Sequence, residues 1–400
     1  MSNETINLSP DPDLSHCTDY PGLHTFDQHY RTIHAYLSLS ICLLGILTNA
    51  LNAVVLTYSR MRSPTNLLLT SIALADSVTM LGYGGRDIYL HFITSPDPIA
   101  TPHGQAGIYF LLFTNFTTIA AHIFSTIMTV MLAIFRSWVL YRPQCQVLYK
   151  HIKFTIIIAS ILSAVMFVLC ISTERVGKID SSTLPSDRTE DYYWFAVGEG
   201  LDNLERAKFI IYGCFSKLAS SILITFFTAL ILVAMEKARI RYLNLKHRSQ
   251  NARKEGKSDK PNGDADGNKD QQNLTQKKRE SRSNHRTTVM LVAVVVSFVI
   301  TEAPQGVLIT MTAIADDCFT YKVYAPIGDL IDILVLLNAS TNFILYCAMS
   351  AQFRKSFQEL IMEDLIYRTC KRGKKSGEED DPREIRKTKQ QVETVFVHHI

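Results

Sequence analysis

The sequence lacks the marks of several protein classes. It has 8 cysteines but no CxxC pair and no His/Cys cluster at metal-ligand spacing, which excludes the zinc modules and dithiol folds that such spacings build. No serine or cysteine stands at a spacing that would make His122 the base of a nucleophile, so nothing points to an enzyme. The basic clusters come without a nucleic-acid-binding motif. No repeat relates the two halves, as it does in many transporters, and no charge ring or filter motif suggests a channel.

What the sequence has is apolar residues gathered in long blocks. They make up 47% of 400 residues and form seven runs: Ile33 to Thr57, Asn66 to His91, Ile108 to Leu140, Phe154 to Ser172, Phe209 to Met235, Thr288 to Ala313 and Tyr324 to Met349. A helix that spans a membrane needs about 20 mostly apolar residues, and backbone in lipid must satisfy its own hydrogen bonds. The expected fold is an all-α membrane protein, a seven-transmembrane helix bundle over 33–349. The first block is too long for a cleaved signal peptide and has only Arg31 just before it, so it is expected to remain as a signal-anchor.

Lys and Arg near the helix ends set the orientation. Arg60 and Arg62 follow block one, Arg142, Lys150 and Lys153 follow block three, and a run from Lys237 to Arg286 joins blocks five and six. The N-terminus and the loop after block four are acidic. The net charge of +4 therefore divides into two opposite faces, with the N-terminus expected outside and the C-terminus inside a plasma membrane. Residues 1–32 form the outer segment, where Asn3 and Asn7 head glycosylation triplets. The stretch 246–285 is too polar to fold alone and is read as a disordered inner loop, and 371–400 as a disordered tail. Between them, 350–370 contains a short amphipathic eighth helix with Phe353, Phe357 and Leu360 on one face, expected to lie along the membrane lipid. Cys370 then either carries an acyl chain or stays a free thiol. Only Cys17 and Cys318 fall on the outer side, and a bridge between them would tie the N-terminus over the third outer loop.

Ionisable residues inside spans face protein or water, so they mark functional ground. An inner layer contains Asn49, Asp76, Ser125, Asn338 and Asn342; an outer layer contains Thr118, His122, Lys217, Glu302, Gln305, Asp329 and Asp332. Three acids against one lysine suggest an open cavity for a cationic ligand; the plainer alternative is that Lys217 neutralises Glu302 and ties two helices. Pro304 removes one backbone hydrogen bond, so a bend in the sixth helix is expected there.

Together these residues resemble the rhodopsin-like (class A) G-protein-coupled receptors. Asn49, SIALAD ending at Asp76, Arg136 in FRSWVLYRP, and NFILY from Asn342 to Tyr346 carry the likeness. It implies a sodium ion bound near Asp76, Ser125, Asn338 and Asn342, with Arg136, Pro304 and Tyr346 as the switch that meets a heterotrimeric G protein, of inhibitory type. Kinases and arrestin would follow, with Ser281, Ser283 and Ser376 beside basic residues. Departures are clear: Phe135 stands where an acid precedes the arginine, Phe343 replaces the NPxxY proline, Glu302 takes the place of the toggle tryptophan, Ser220 stands near the helix-five proline, and Leu111 occupies the site of the helix-three cysteine.

MRSPTN (Met61 to Asn66), TEAPQG (Thr301 to Gly306) and GDLIDIL in the last span are similar to the receptors for myosuppressin and related FMRFamide-like neuropeptides, nematode members above all. That resemblance implies an amidated peptide ending in Arg-Phe-amide, its arginine on the paired acids and its phenyl ring near Phe116 and Phe298. A small-molecule chemosensory receptor and a proton-coupled transporter using Asp76 and Glu302 are the alternatives.

Overall fold

The computed structural model describes residues 5–6, 16–58, 63–94, 104–141, 149–179, 193–255, 292–293, 295–315, 317–350 and 352–360. Its 7 long apolar helices are each able to cross a membrane. Helix α1 is Pro21–Thr57, α2 is Pro64–Ile88 and runs on as a π-helical turn over Tyr89–Ile93, α3 is Gln105–Tyr141, and α4 is Tyr149–Thr173. Helix α5 comprises Asp202–Ile210, a π-helical stretch Ile211–Ala219, and Ser220–Glu255. Helix α6 covers Val295–Ile314. Helix α7 begins at Asp317–Phe319, passes a π turn at Thr320–Tyr324 and continues over Ala325–Met349. A short α8 follows over 352–360.

Local chemistry explains several boundaries. MRSPTN is a helix start: the Ser63 side chain accepts from the Asn66 amide at 3.1 Å, and Pro64 occupies the first turn, where a missing N–H costs nothing. Ser350 caps α8 in the same way by accepting from Phe353 N at 3.1 Å. Helix α1 starts well before Ile33, so part of the expected outer segment is helical. Pro21 opens it, and Asp27 pairs with Arg31 at 3.0 Å one turn on, support that a hydropathy reading does not register. Helix α5 likewise continues to Glu255, into the stretch expected to be without structure.

Between α4 and α5 the chain forms an antiparallel hairpin, β2 (Glu174–Ile179) with β3 (Tyr193–Val197), and β1 (Thr5–Ile6) adds in parallel to β2. The end of the bundle carrying this sheet also holds the Cys17–Cys318 disulfide, with Cα atoms 5.5 Å apart. We call it the disulfide end; α8 marks the other.

The apolar surface faces outward, as lipid requires. Leu43, Leu44, Ile157, Ile161, Val165 and Phe215 are all more than half exposed, while His34, Asn49, Asp76, Lys217 and Glu302 are buried between helices. At the α8 end, Val55, Leu68, Met128, Ile152 and Phe353 share one core. Phe343 stacks edge-on against Phe353 and Phe357, with centroids 5.9 and 5.6 Å apart. The apolar face of α8 is therefore spent on α7, not given wholly to lipid as its sequence suggested.

Candidate functional site

The polar residues form three connected groups along the bundle. The first lies at its middle. Lys217 Nζ donates to Glu302 Oε2 at 2.7 Å, and His122 Nε2 meets the same oxygen at 3.1 Å and also contacts Lys217 Nζ. Lys217 and Glu302 have 0% exposed surface. The π-helical stretch Ile211–Ala219 contains Lys217; its wider turn shifts the register of the side chains within α5. Gly306 lets α6 come close, since a Cβ there would meet Lys217 Cβ at 2.7 Å and Leu218 at 3.0 Å. The plainer sequence alternative is thus what the geometry shows for this pair. The same geometry leaves Glu302 without a route to solvent.

The second group, nearer α8, surrounds Asp76. Its carboxylate accepts from Ser125 Oγ at 2.6 Å and from Asn342 Nδ2 at 3.1 Å. Asn49 ties α1 to α7 by donating to Ala339 O at 3.0 Å. A cavity of about 40 Å³ touches Asp76, Ser125, Asn338, Asn342 and His122, room for water or a small ion. Hard oxygen donors and a carboxylate with no Lys or Arg partner among the described residues fit an alkali cation. Such an ion would neutralise Asp76 and hold α2, α3 and α7 together. Asn338 does not turn to Asp76. It donates to Glu302 Oε1 at 3.5 Å and accepts from Ser297 Oγ at 3.2 Å, and so belongs to the middle group while lining this cavity. A further cavity of about 70 Å³ lies between Arg136 and Tyr346, with Ile224 and Thr228 of α5 beside them.

The third group lies at the disulfide end, between α1, α2, α6 and α7. Asp332 accepts from Tyr83 Oη at 3.1 Å and Gln305 Nε2 at 3.4 Å, and Arg86 Nη2 is 3.6 Å away. Arg86 also stands 3.6 Å from Asp87 and 4.2 Å over the Tyr83 ring. Asp87 accepts from Ser38 Oγ at 2.5 Å. His34 Nε2 lies 3.1 Å from Tyr83 Oη. Asp329 is different: among the described residues its carboxylate accepts no hydrogen bond, and His34 Nε2 at 4.0 Å is its one ionic neighbour. The Asp329 and Asp332 side chains are 33% and 27% exposed, whereas Glu302 is sealed. Three carboxylates around one guanidinium leave this group with a negative balance.

The expected outer layer therefore divides. Gln305, Asp329 and Asp332 belong to the third group; His122, Lys217 and Glu302 form the first. Thr118 bonds the carbonyl of Thr114 on its own helix at 2.8 Å and packs on Gly82. Phe116 and Phe298 are buried in separate clusters, Phe116 edge-on to Phe167 and Phe298 with Val130 and Ile224, so they build no common phenyl wall. Helix α6 stays helical through Pro304. Asn3 and Asn7 lie outside the described residues. His34, Tyr83, Arg86 and Asp87 were missed in the sequence, although GRDI places two adjacent charges inside an apolar block, which was signal enough.

The hairpin is held by charge. Lys208, 6% exposed, donates to Glu174 Oε1 at 3.0 Å and Thr173 Oγ1 at 3.2 Å. This fastens β2 to α5 where no cysteine is present to do so.

Comparison with known proteins agrees with this architecture. The family described as serpentine type 7TM GPCR chemoreceptor Srw matches residues 36–260 and 266–364. The chain is 27% identical over 373 residues to the G-protein coupled receptor dmsr-1 of Caenorhabditis elegans, which covers 88% of this chain and 72% of that receptor. It is 22% identical over 349 residues to the sex peptide receptor of Drosophila melanogaster, covering 85% and 74% respectively. These relatives are receptors and not enzymes, and none supports the transporter alternative. The chain is a multi-pass membrane protein and belongs to the Srw family of serpentine seven-transmembrane G-protein-coupled receptors.

Proposed function

We propose that this receptor is of the rhodopsin-like kind and is activated by a cationic, amidated neuropeptide ending in Arg-Phe-amide, as myosuppressin- and FMRFamide-like peptides do. The disulfide end faces outside the cell and the α8 end meets a heterotrimeric G protein of inhibitory type. The observation that carries this reading is Asp329, a part-exposed carboxylate that accepts no hydrogen bond among the described residues, in a group with a negative balance. A ligand guanidinium would complete it with two charge-assisted hydrogen bonds. The similarity to the sex peptide receptor supports a peptide ligand.

The sealed Lys217–Glu302–His122 group is the element that a bound peptide would bias. It joins α3, α5 and α6, reaches α7 through Asn338, and stands two residues from Pro304. A ligand acts only through different affinity for two states, so the peptide must prefer a state in which this group is rearranged. Sodium at Asp76 would favour the other state. Outward movement of α6 would widen the cavity beside Arg136 and Tyr346 for the G protein.

The test is expression in cells with a G-protein activation readout. Amidated peptides ending in Arg-Phe should activate the receptor, and Asp329→Asn should weaken them at equal surface expression. The Srw description names chemoreceptors, which keeps a small-molecule ligand as the second reading. Activation by a small organic cation, with no response to any amidated peptide, would select it.

A further inference from the structure

The disulfide end carries a set of side chains that none of the three polar groups includes. His16 adjoins Cys17 in the sequence, and the Cys17–Cys318 bond brings Cys318 to them across 301 residues. His16 Nε2 lies 3.9 Å from Cys17 Sγ and 3.5 Å from Cys318 Sγ. Spacing along the chain announces no such set; the fold makes it. Among the described residues it is the one group of three or more His, Cys, Asp or Glu side chains whose ligand atoms all lie within 4.8 Å of one another.

One imidazole and two sulfurs are donors that zinc takes, at about 2.0–2.1 Å for nitrogen and about 2.3 Å for sulfur. Tetrahedral angles between bonds of those lengths put nitrogen and sulfur about 3.6 Å apart, and the two sulfurs about 3.8 Å apart. Both His16–sulfur distances already stand near the first figure. The sulfurs need only part from one another once their bond opens. With the Cα atoms 5.5 Å apart, rotation of the two side chains supplies that movement. His16 is exposed and both cysteines are partly so, which gives an ion a way in. The N-terminal segment does not drift away when the bond opens, because Lys322 Nζ holds Asp19, two residues beyond Cys17, at 2.6 Å. This second tie keeps the two thiols at high effective concentration for a shared ion.

We propose that His16, Cys17 and Cys318 form a site for a thiophilic divalent cation of the zinc type, filled when the disulfide is reduced. The N-terminus is then clasped to the start of α7 by a covalent bond in one redox state and by a metal ion in the other. A dithiol reductant opens the bond: its two thiols give up two electrons and two protons and close into a disulfide, while Cys17 and Cys318 become thiols. The ion displaces both thiol protons, since only thiolate ligates, and neutral His16 gives its Nε2 lone pair. Water fills the fourth position. This site goes beyond the ligand reading above and does not depend on it.

The experiment uses the detergent-purified full chain, either oxidised or reduced with dithiothreitol and desalted without oxygen. Cobalt(II) is the probe, a coloured substitute for zinc. Cobalt bound to thiolate absorbs in the near ultraviolet, and zinc should displace it and erase the band. The reduced wild type should gain this absorption over the reduced Cys17→Ser/Cys318→Ser variant, which corrects for the other cysteines, and the oxidised receptor should not. His16→Ala changes an exposed residue and should weaken zinc binding by roughly tenfold or more, the loss that removing even an outer partner of a metal ligand produces. In the reduced wild type, zinc should also slow protease cleavage before α1, and a chelator should restore it. A reduced wild type that takes up no more cobalt than the serine variant would overturn the site. So would a His16→Ala receptor that binds zinc as tightly as the wild type.

Discussion

Lys217 Nζ lies 2.7 Å from Glu302 Oε2 at a depth where neither side chain has exposed surface. Taking one partner from a buried ion pair leaves an uncompensated charge, which costs about 3–5 kcal/mol, whereas replacing both by apolar groups of similar size is often neutral. Lys217→Met and Glu302→Gln should each lower the thermal stability of the detergent-purified receptor by that amount. The double variant Lys217→Met/Glu302→Met should recover most of it. A double variant no more stable than either single one would show that the pair is not the coupled unit described.

The Lys208–Glu174 contact predicts a local effect. Lys208→Met should loosen the hairpin without unfolding the bundle, because the lost charge-assisted hydrogen bonds are worth about 1.5–3 kcal/mol and act at one edge. Amide hydrogen exchange should rise across Glu174–Ile179 and Tyr193–Val197 and stay unchanged in α2 and α3. Faster exchange throughout the bundle would contradict the assignment.

Asp76 is expected to hold sodium, and the sign of the effect follows. In the wild-type receptor, replacing sodium by a large organic cation at constant ionic strength should raise affinity for the activating peptide. Asp76→Asn should abolish that dependence, since the carboxylate supplies the charge that selects the ion. A sodium effect retained in the variant would move the ion elsewhere.

The N-terminus is fastened twice, by Cys17–Cys318 and by Lys322 Nζ donating to Asp19 at 2.6 Å. That hydrogen bond, with the lysine charge, holds the Asp19 carboxyl below its ordinary range. A lowered carboxylate pKa means the contact is present above the ordinary value and lost only as pH falls through the lowered one. In Cys17→Ser/Cys318→Ser, protease cleavage before α1 should therefore increase modestly at neutral pH and further in acid. Adding Asp19→Asn should give the acid level of cleavage at every pH. Cleavage that ignores pH in the disulfide-free receptor would rule out a role for Asp19.

The seven spans were legible because lipid demands long apolar runs, and hydropathy reads them directly. Their ends were less so. Helix α1 extends through Asp27 and Arg31, which look like a polar leader until their one-turn spacing is seen as a helix pair. The hairpin was invisible because Glu174 and Val197 are brought together across the chain, not by local pattern. Asp76 with Ser125 and Asn342 was legible from residue type and depth. The division between a sealed Glu302 and an accessible Asp329 was not, since both read as acids within spans. What separates them is the buried pairing of Lys217 with Glu302, and the pairing of Arg86 with Asp332 instead of Asp329, neither of which spacing alone conveys.

The central claim is that Asp329, and not Glu302, receives the ligand's cation. The most direct measurement is a double-mutant cycle on intact cells: wild-type and Asp329→Asn receptors, each titrated with an amidated peptide ending in Arg-Phe and with the same peptide carrying neutral citrulline for arginine. The account predicts that either change alone weakens potency tenfold or more, at least the ~1.4 kcal/mol that tenfold represents, and that the second change adds little to the first. Fully additive losses, or an Asp329→Asn receptor that still distinguishes arginine from citrulline as the wild type does, would contradict it.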